Sequence, residues 1–238
     1  MSYPRGSIES GCRCCGTCCR KGGPALHIED REWVTSGTIP LAALMTIRRH
    51  EPSYDNVIGR LVPAATDIIK VKAHSAQRQA CRFYRFDPPG CSIYAQRPLE
   101  CHALQCWDTR DIEAIYQRDR LTRQHLLAGH ADIWDLIVEH ETRCNYWRLA
   151  RLAKQVHKDK NSATASDSML AMIRYDQSLR DTVKESTGLR ADLLDFLFGR
   201  PLTFTLVLFD LQLVKSSTSG SYAFRPRWQG AAKGCPSG

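Results

Sequence analysis

Apolar residues recur at helical spacing through much of the second half of the chain. Residues three to four positions apart share one face of a helix, and an apolar face is buried against a core. Four segments have this pattern: one from about 110 that Asp108 or Thr109 would cap, one near 131–157 after Gly129, one around 170–183, and 191–199, which ends at Gly199. The second half is therefore predicted to be mostly helical.

The first half has shorter apolar runs. "HIEDREWVTSG" (27–37) predicts a short helix that Asp30 could cap and Gly37 could end, and "PLAALMTIRR" (40–49) predicts another with Pro40 in its first turn. "DIIKVKA" (67–73) is typical of a strand, and "CRFYRFDPPGCSIY" (81–94) predicts a hairpin. Near the C-terminus "LQLVKSSTSGSYAFRP" predicts a second hairpin, while "PLTFTLVLFDLQLV" fits a helix or a strand.

These elements predict a mainly α fold with short β-hairpins, an α+β class. We expect an irregular cysteine-cluster region over residues 9–108 and a mostly helical region over 109–228, packed together as one compact unit. The polar stretch "HKDKNSATASD" (157–167) is the clearest linker.

Length and charge narrow the classes of function. A chain of 238 residues can bury a core without disulfides. It has no apolar run of about 20 residues, and "MSYPRGSIES" has no signal-peptide core, so we expect a cytoplasmic protein without a membrane partner. The net charge of +8, with 24 Arg against 9 Lys, raises nucleic acid as a partner, but metal-bound thiolates would offset that charge. Arg13, Arg20, Arg82, Arg85 and Arg97 lie among the cysteines, where they could hydrogen-bond or neutralise sulfur.

Cysteine carries the candidate chemistry. In the cytosol thiols stay reduced, so eleven cysteines indicate metal binding or catalysis rather than disulfides. Cys12, Cys15, Cys18 and Cys19 follow C-x2-C-x2-C-C, and two cysteines at C-x2-C spacing can reach one metal. Gly16 would let the backbone wrap around it with positive φ. Neighbouring side chains such as Cys18 and Cys19 normally point apart, so further ligands are expected elsewhere.

Those further ligands are available at four later positions: Cys81, Cys91, Cys101 and Cys106. Eight sulfurs suffice for two four-coordinate sites, or for one cluster with four thiols left over. Cys14, Cys144 and Cys235 are expected to take no part, Cys144 because it lies on an apolar helix face.

The segments "CRCCGTCC", "CRFY", "CSIYAQRPLEC" and "ALQCWD" resemble the YkgJ-type cysteine-cluster family, whose CxxCxxCC domain is described as zinc- or iron-chelating. The resemblance covers about residues 9–110, including "GGPALHIED" and "TIRRHE", and the helical half is similar to longer bacterial members. His50 stands where the family commonly has glycine, and His102 where it often has arginine. The resemblance implies a metal centre on Cys12, Cys15, Cys18, Cys19, Cys81, Cys91, Cys101 and Cys106.

We expect an iron-sulfur cluster of the 4Fe-4S type. It would serve electron transfer or a redox or group-transfer reaction with a protein redox partner or protein substrate. The flagellin lysine methylases carry a similar cysteine cluster linked to iron and sulfur, which favours iron and raises protein methylation as an alternative. A zinc-binding structural or interaction module without catalysis is the main alternative, because sulfur ligands suit both metals. A zinc protein that binds nucleic acid is the weakest hypothesis.

Two polar patterns lie outside the cysteine set. "HETRC" (140–144) resembles the HExxH zinc motif with Cys144 in place of the second histidine, but the sequence shows no third ligand. His27, with Glu29 and Asp30, forms a possible polar site near the cluster, although Asp30 equally suits a helix cap.

Overall fold

The computed structural model describes residues 15–75, 79–159, 163–215 and 222–227. About 50% of the chain is helical and the strands form short antiparallel pairs, which confirms the predicted mainly α, α+β class. The helices are α1 (Arg31–Thr35), α2 (Leu99–Ala103), α3 (Arg110–Ile115), α4 (Arg123–Leu127), α5 (Ala131–Arg143), α6 (Tyr146–Lys158), α7 (Ala163–Thr187), α8 (Ala191–Phe198) and α9 (Leu202–Thr205). Within the described residues, no helix has the length and apolar content that crossing a membrane requires.

Eight strands form four two-stranded antiparallel sheets in the described part of the chain. The strands are β1 (Leu44–Ile47), β2 (Pro52–Asp55), β3 (Arg60–Pro63), β4 (Ile68–Val71), β5 (Tyr84–Phe86), β6 (Pro89–Cys91), β7 (Leu211–Lys215) and β8 (Tyr222–Pro226). The pairs are β1 with β4, β2 with β3, β5 with β6 and β7 with β8. The β5–β6 and β7–β8 pairs and strand β4 confirm the predictions for those segments.

The predicted helix over 40–49 is wrong. Residues Leu41–Ala43 make a single 3-10 turn and Leu44–Ile47 form β1, where Leu44 lies opposite Val71 and Ile47 opposite Ile68. The strand is buried almost along its whole length, so cross-strand pairing outweighs the local helical pattern.

The predicted helix near 131–157 is in fact two helices. The helix is interrupted at Cys144 and Asn145. The Asn145 side chain accepts a hydrogen bond from the Arg148 amide at 3.1 Å. This N-cap starts α6 as a separate helix. The β2–β3 hairpin was not predicted, although Asp55 accepts from the amides of Val57 and Ile58 at its turn.

Two buried clusters of apolar side chains form the core. The first combines residues of the cysteine-rich half, including Leu44, Ile69 and Tyr84, with Ile137 of α5 and Phe196 of α8. The second lies among α6, α7, α9 and the β7–β8 pair. The first cluster therefore packs the cysteine-rich half directly against the helical half.

A buried ion pair reinforces this junction. Arg123 donates to both carboxylate oxygens of Asp67 at 2.7 and 3.0 Å, to the Leu197 carbonyl at 2.7 Å and to Glu141 at 2.7 Å. The guanidinium is 2% exposed, so its charge depends on these partners rather than on water.

Candidate metal centre

The first described cysteines lie on a tight loop against the core. Gly16 has a φ of +75°, and the Arg20 amide donates to the Gly16 carbonyl at 2.8 Å. The Arg20 guanidinium donates to the Cys15 carbonyl at 2.5 Å and lies over the Tyr84 ring. The loop thus keeps Cys15, Cys18 and Cys19 next to buried Tyr84, with the positive φ at Gly16 that the sequence predicted.

The other cysteines reach this loop on separate elements. The Cys81 amide donates to the Cys19 carbonyl at 2.7 Å, which joins the two segments through their backbones. Cys91 ends β6 opposite Tyr84, and Cys101 lies within α2. Cys106 follows α2 and is exposed, like Cys15, whereas Cys81 is buried.

These thiols interact with one another. The Cys18 thiol hydrogen-bonds with the thiols of Cys19 and Cys106. Cys101 interacts electrostatically with Cys81, Cys91 and Cys18, and Cys15 interacts with Cys18. Cys18 and Cys19 thus interact with each other although they are adjacent in the sequence. Seven of the eight predicted ligands form one group; Cys12, like the bystanders Cys14 and Cys235, lies outside the described residues.

Proton affinities differ across the group. The hydrogen bond from the Cys19 thiol lowers the pKa of Cys18 to about 6, and the same bond together with burial raises the pKa of Cys19. Burial raises the pKa values of Cys81 and Cys101. Cys18 is thus the thiol most easily ionised, while the buried ones need a metal ion to stabilise their thiolates.

The spacing of the sulfurs bears on the kind of metal. Four thiolates on one zinc ion, at a Zn–S distance of about 2.3 Å, lie about 3.8 Å apart in a tetrahedron. Within the described residues, no three sulfurs of this group lie within 4.8 Å of one another. The thiol donors fit zinc or iron chemically, and their spread is wider than a single four-coordinate ion requires.

Comparison with known families bears on the same residues. Residues 11–119 match the family model CxxCxxCC, whose description is "putative zinc- or iron-chelating domain". We call residues 11–119 the CxxCxxCC domain because they match this model. The match includes all eight cysteines predicted as ligands, and it confirms the resemblance drawn from the motifs. No curated protein and no solved structure matches the chain.

His50, where the resemblance led us to expect glycine, lies at a backbone position that suits glycine. His50 has a φ of +66°, in the left-handed region that glycine adopts without steric cost. His50 therefore adopts a left-handed backbone conformation that glycine would adopt at a lower steric cost.

A partly buried carboxylate lies beside the thiols of the CxxCxxCC domain. Glu100, next to Cys101 in α2, accepts from the Ala25 amide at 2.7 Å and from Arg120 at 3.1 Å, and its other neighbour is the His27 ring at 3.4 Å. Burial disfavours the charged form of His27, but the hydrogen bond to Glu100 and the charge of Glu100 favour it. The pKa of His27 is raised as a result. His27 could be selected from the sequence, but Glu100 was missed. The only sequence signal for Glu100 is its position beside Cys101.

Asp30 has the capping role that the sequence allowed. One carboxylate oxygen accepts from the His27 amide at 2.9 Å and the other from the Leu99 amide at 2.8 Å. Leu99 begins α2, so this buried side chain fixes the start of the helix that carries Cys101. Glu29 is exposed and lies outside this arrangement.

The arginines among the cysteines bind carbonyl groups and aromatic rings. Arg20 donates to the Cys15 carbonyl, and Arg97 donates to the Tyr94 carbonyl at 3.0 Å and lies over the Tyr94 ring. Arg82 and Arg85 are exposed. Arg13 lies outside the described residues.

The "HETRC" segment, beyond the CxxCxxCC domain, does acquire a third group. Ligand atoms of His140, Cys144 and Asp176 lie within 4.8 Å of one another, and all three residues are buried. However, His140 Nε2 donates to Asp176 at 2.8 Å, and Arg48 lies 3.3 Å from His140 Nδ1. Arg180 also donates to Asp176 at 2.9 Å. Two cations beside these groups disfavour a metal ion and favour a structural hydrogen-bonded network.

Cys144 remains a core residue, as predicted. It is fully buried, and burial raises its pKa to about 12, so the thiol stays protonated. Glu141, the base of the hypothetical zinc motif, is held by Arg48 and Arg123.

Proposed function

We propose that this protein binds an iron-sulfur cluster through the cysteines of its CxxCxxCC domain and uses it for electron transfer or for a redox or group-transfer reaction. The observation that carries the proposal is the group of seven interacting thiols, which come from separate segments and are spaced more widely than one metal ion needs. Spread thiolates suit a cluster of several metal ions.

The cysteines divide into an inner and an outer set. Cys81 is buried, and burial raises the pKa of Cys101, whereas Cys15 and Cys106 are exposed. Such a cluster supplies one-electron chemistry when bound. With ligands from both sets it would have one edge near solvent, where a partner protein could exchange electrons.

Neighbouring charges also support an anionic centre. The Lys70 ammonium interacts electrostatically with the Cys81 thiol, and this interaction favours the thiolate. Burial lowers the pKa of Lys70, so its charge depends on nearby anions, namely Glu100 and a Cys81 thiolate. Hydrogen bonds and charges around cysteine ligands set the reduction potential of a cluster.

A structural zinc site is the second candidate, and the local backbone favours it. The segments that carry the cysteines are short: a 3-10 turn at Cys19–Lys21, a three-residue strand at Pro89–Cys91 and the five-residue helix α2. Short segments of this kind gain stability when a metal joins them.

Replacing single cysteines tests the ligand assignment. We expect Cys81→Ser and Cys101→Ser, purified without oxygen, to lose most of their iron and acid-labile sulfide. The matched control is Cys144→Ser, another buried thiol, which should keep both at the wild-type level. Equal metal contents in all three variants would refute the assignment, and loss of zinc without any iron or sulfide would support the structural zinc site instead.

A further inference from the structure

Helix α6 presents a narrow cationic stripe to solvent. At 100° per residue, Trp147, Arg151, Lys154 and Lys158 lie within about 60° of one another around the helix, along about 17 Å of its length. All four side chains are exposed, while Leu149, Leu152 and Val156 on the opposite face are buried. We call these four residues the α6 stripe.

Among the described residues, the cations of the α6 stripe have no acidic partner in an ion pair. The helix, "YWRLARLAKQVHK", has no Asp or Glu, and neither its two lysines in the stripe nor Arg151 forms an ion pair with any described residue. Some exposed arginines elsewhere are paired, as Arg143 is with Glu139 and Arg190 with Asp192. The stripe therefore brings three cations without a described ion-pair partner onto one exposed helix face, where their charges add.

Exposed apolar side chains flank the stripe. The Tyr146 hydroxyl donates to Thr205 at 3.0 Å and His157 donates to the Phe209 carbonyl at 2.8 Å, so residues 205–209 lie along one side of α6. On this neighbouring segment Phe204 is 61% exposed and Val207 36%, and Trp147 at the start of the stripe is 61% exposed. Exposed apolar groups beside unpaired cations mark an interaction surface.

We propose that the α6 stripe, with Phe204 and Val207, binds an anionic lipid surface peripherally. Cations on a surface helix attract anionic headgroups, and Trp and Phe insert at the boundary between headgroups and acyl chains. Contact of this kind needs no membrane-spanning segment.

The same surface suits nucleic acid less well. Arg151 lies over the Trp147 ring, 5.4 Å from its centroid, and so occupies one ring face that a base would stack on. Phe204 and Val207 add apolar area that a phosphate backbone would not cover.

Vesicle flotation of the full chain tests the proposal. We expect binding to phosphatidylcholine vesicles that contain phosphatidylglycerol and no binding to phosphatidylcholine alone. The triple variant Arg151→Gln, Lys154→Gln, Lys158→Gln should bind about 100-fold more weakly, at about fivefold for each lost cation. Brominated lipids should quench wild-type fluorescence more than that of Trp147→Phe.

The control triple variant Arg31→Gln, Arg60→Gln, Lys184→Gln removes the same charge from exposed positions elsewhere. It should lose clearly less affinity than the stripe variant, with unchanged circular dichroism in both. Equal losses in the two variants would overturn the proposal, as would binding independent of phosphatidylglycerol. Tighter, stripe-dependent binding to a single-stranded oligonucleotide would also overturn it and assign the surface to nucleic acid.

Discussion

Gly16 connects the cysteine loop to the core, and replacing it by alanine should weaken metal binding. A Cβ at this position would lie 2.4 Å from two atoms of the Tyr84 side chain, against about 3.5–4.0 Å for an ordinary carbon contact. Tyr84 is 3% exposed and packs within the first core cluster, so it cannot move aside freely. The loop itself must therefore shift, and with it Cys15 and Cys18.

Two costs add up in this variant. The left-handed φ of +75° costs an alanine about 1–2 kcal/mol, and the overlap with Tyr84 adds about 1–3 kcal/mol. Gly37→Ala is the matched control, because its φ is +81° and no atom lies within 4 Å of the added Cβ. Only the overlap with Tyr84 should therefore distinguish the cost of Gly16→Ala from that of Gly37→Ala.

The assay is metal affinity measured by competition with a chelator, together with thermal unfolding. We expect Gly16→Ala to bind its metal about 5- to 150-fold more weakly than Gly37→Ala, which is the overlap term expressed as an affinity ratio. Equal metal affinities in the two variants would refute the reasoning that contact with Tyr84 fixes the loop.

Three further predictions concern the rest of the described fold. Arg123→Met should lower the free energy of unfolding by about 3–5 kcal/mol in denaturant titrations, because Asp67 and Glu141 lose their buried partner; a change below 1 kcal/mol, roughly that of a surface pair, would contradict this. Burial lowers the pKa of His140, so below about pH 6.5 the unfolded chain binds a proton first and stability should fall by up to about 1.4 kcal/mol per pH unit. His140→Gln should flatten that slope, and an unchanged slope between pH 6.5 and 5 would rule His140 out as its source. His50→Gly should raise the melting temperature or leave it unchanged, since glycine relieves the positive φ; a clear decrease would show that the His50 side chain stabilises the fold.

The local sequence pattern was sufficient to predict those helices and strands that are long or that end in a clear turn. The helical spacing of Ile173, Leu179 and Val183 predicted α7, and Asp87–Gly90 predicted the β5–β6 hairpin. It failed over 40–49, where the partner strand β4 decides the structure from more than twenty residues away. Helix α6 needed its own N-cap at Asn145, a signal that is present in the sequence but was read as part of one long helix.

The candidate site could be predicted only as a set of residue types. Spacing identified the cysteines, but their mutual contacts depend on tertiary bonds such as Cys81 N to Cys19 O. Asp176 joins His140 and Cys144 from another helix, 36 residues away from His140, and no local pattern indicates that approach. Of the two arginines that disfavour a metal there, Arg48 lies 92 residues from His140, whereas Arg180 is four residues from Asp176 on α7.

The most direct test of the central claim is the iron, zinc and acid-labile sulfide content of the wild-type protein purified without oxygen, with the visible spectrum of the same sample. If the cysteines hold an iron-sulfur cluster, we expect iron and sulfide in nearly equal amounts and a broad charge-transfer absorption that bleaches on reduction. A colourless protein with stoichiometric zinc and no sulfide would contradict it.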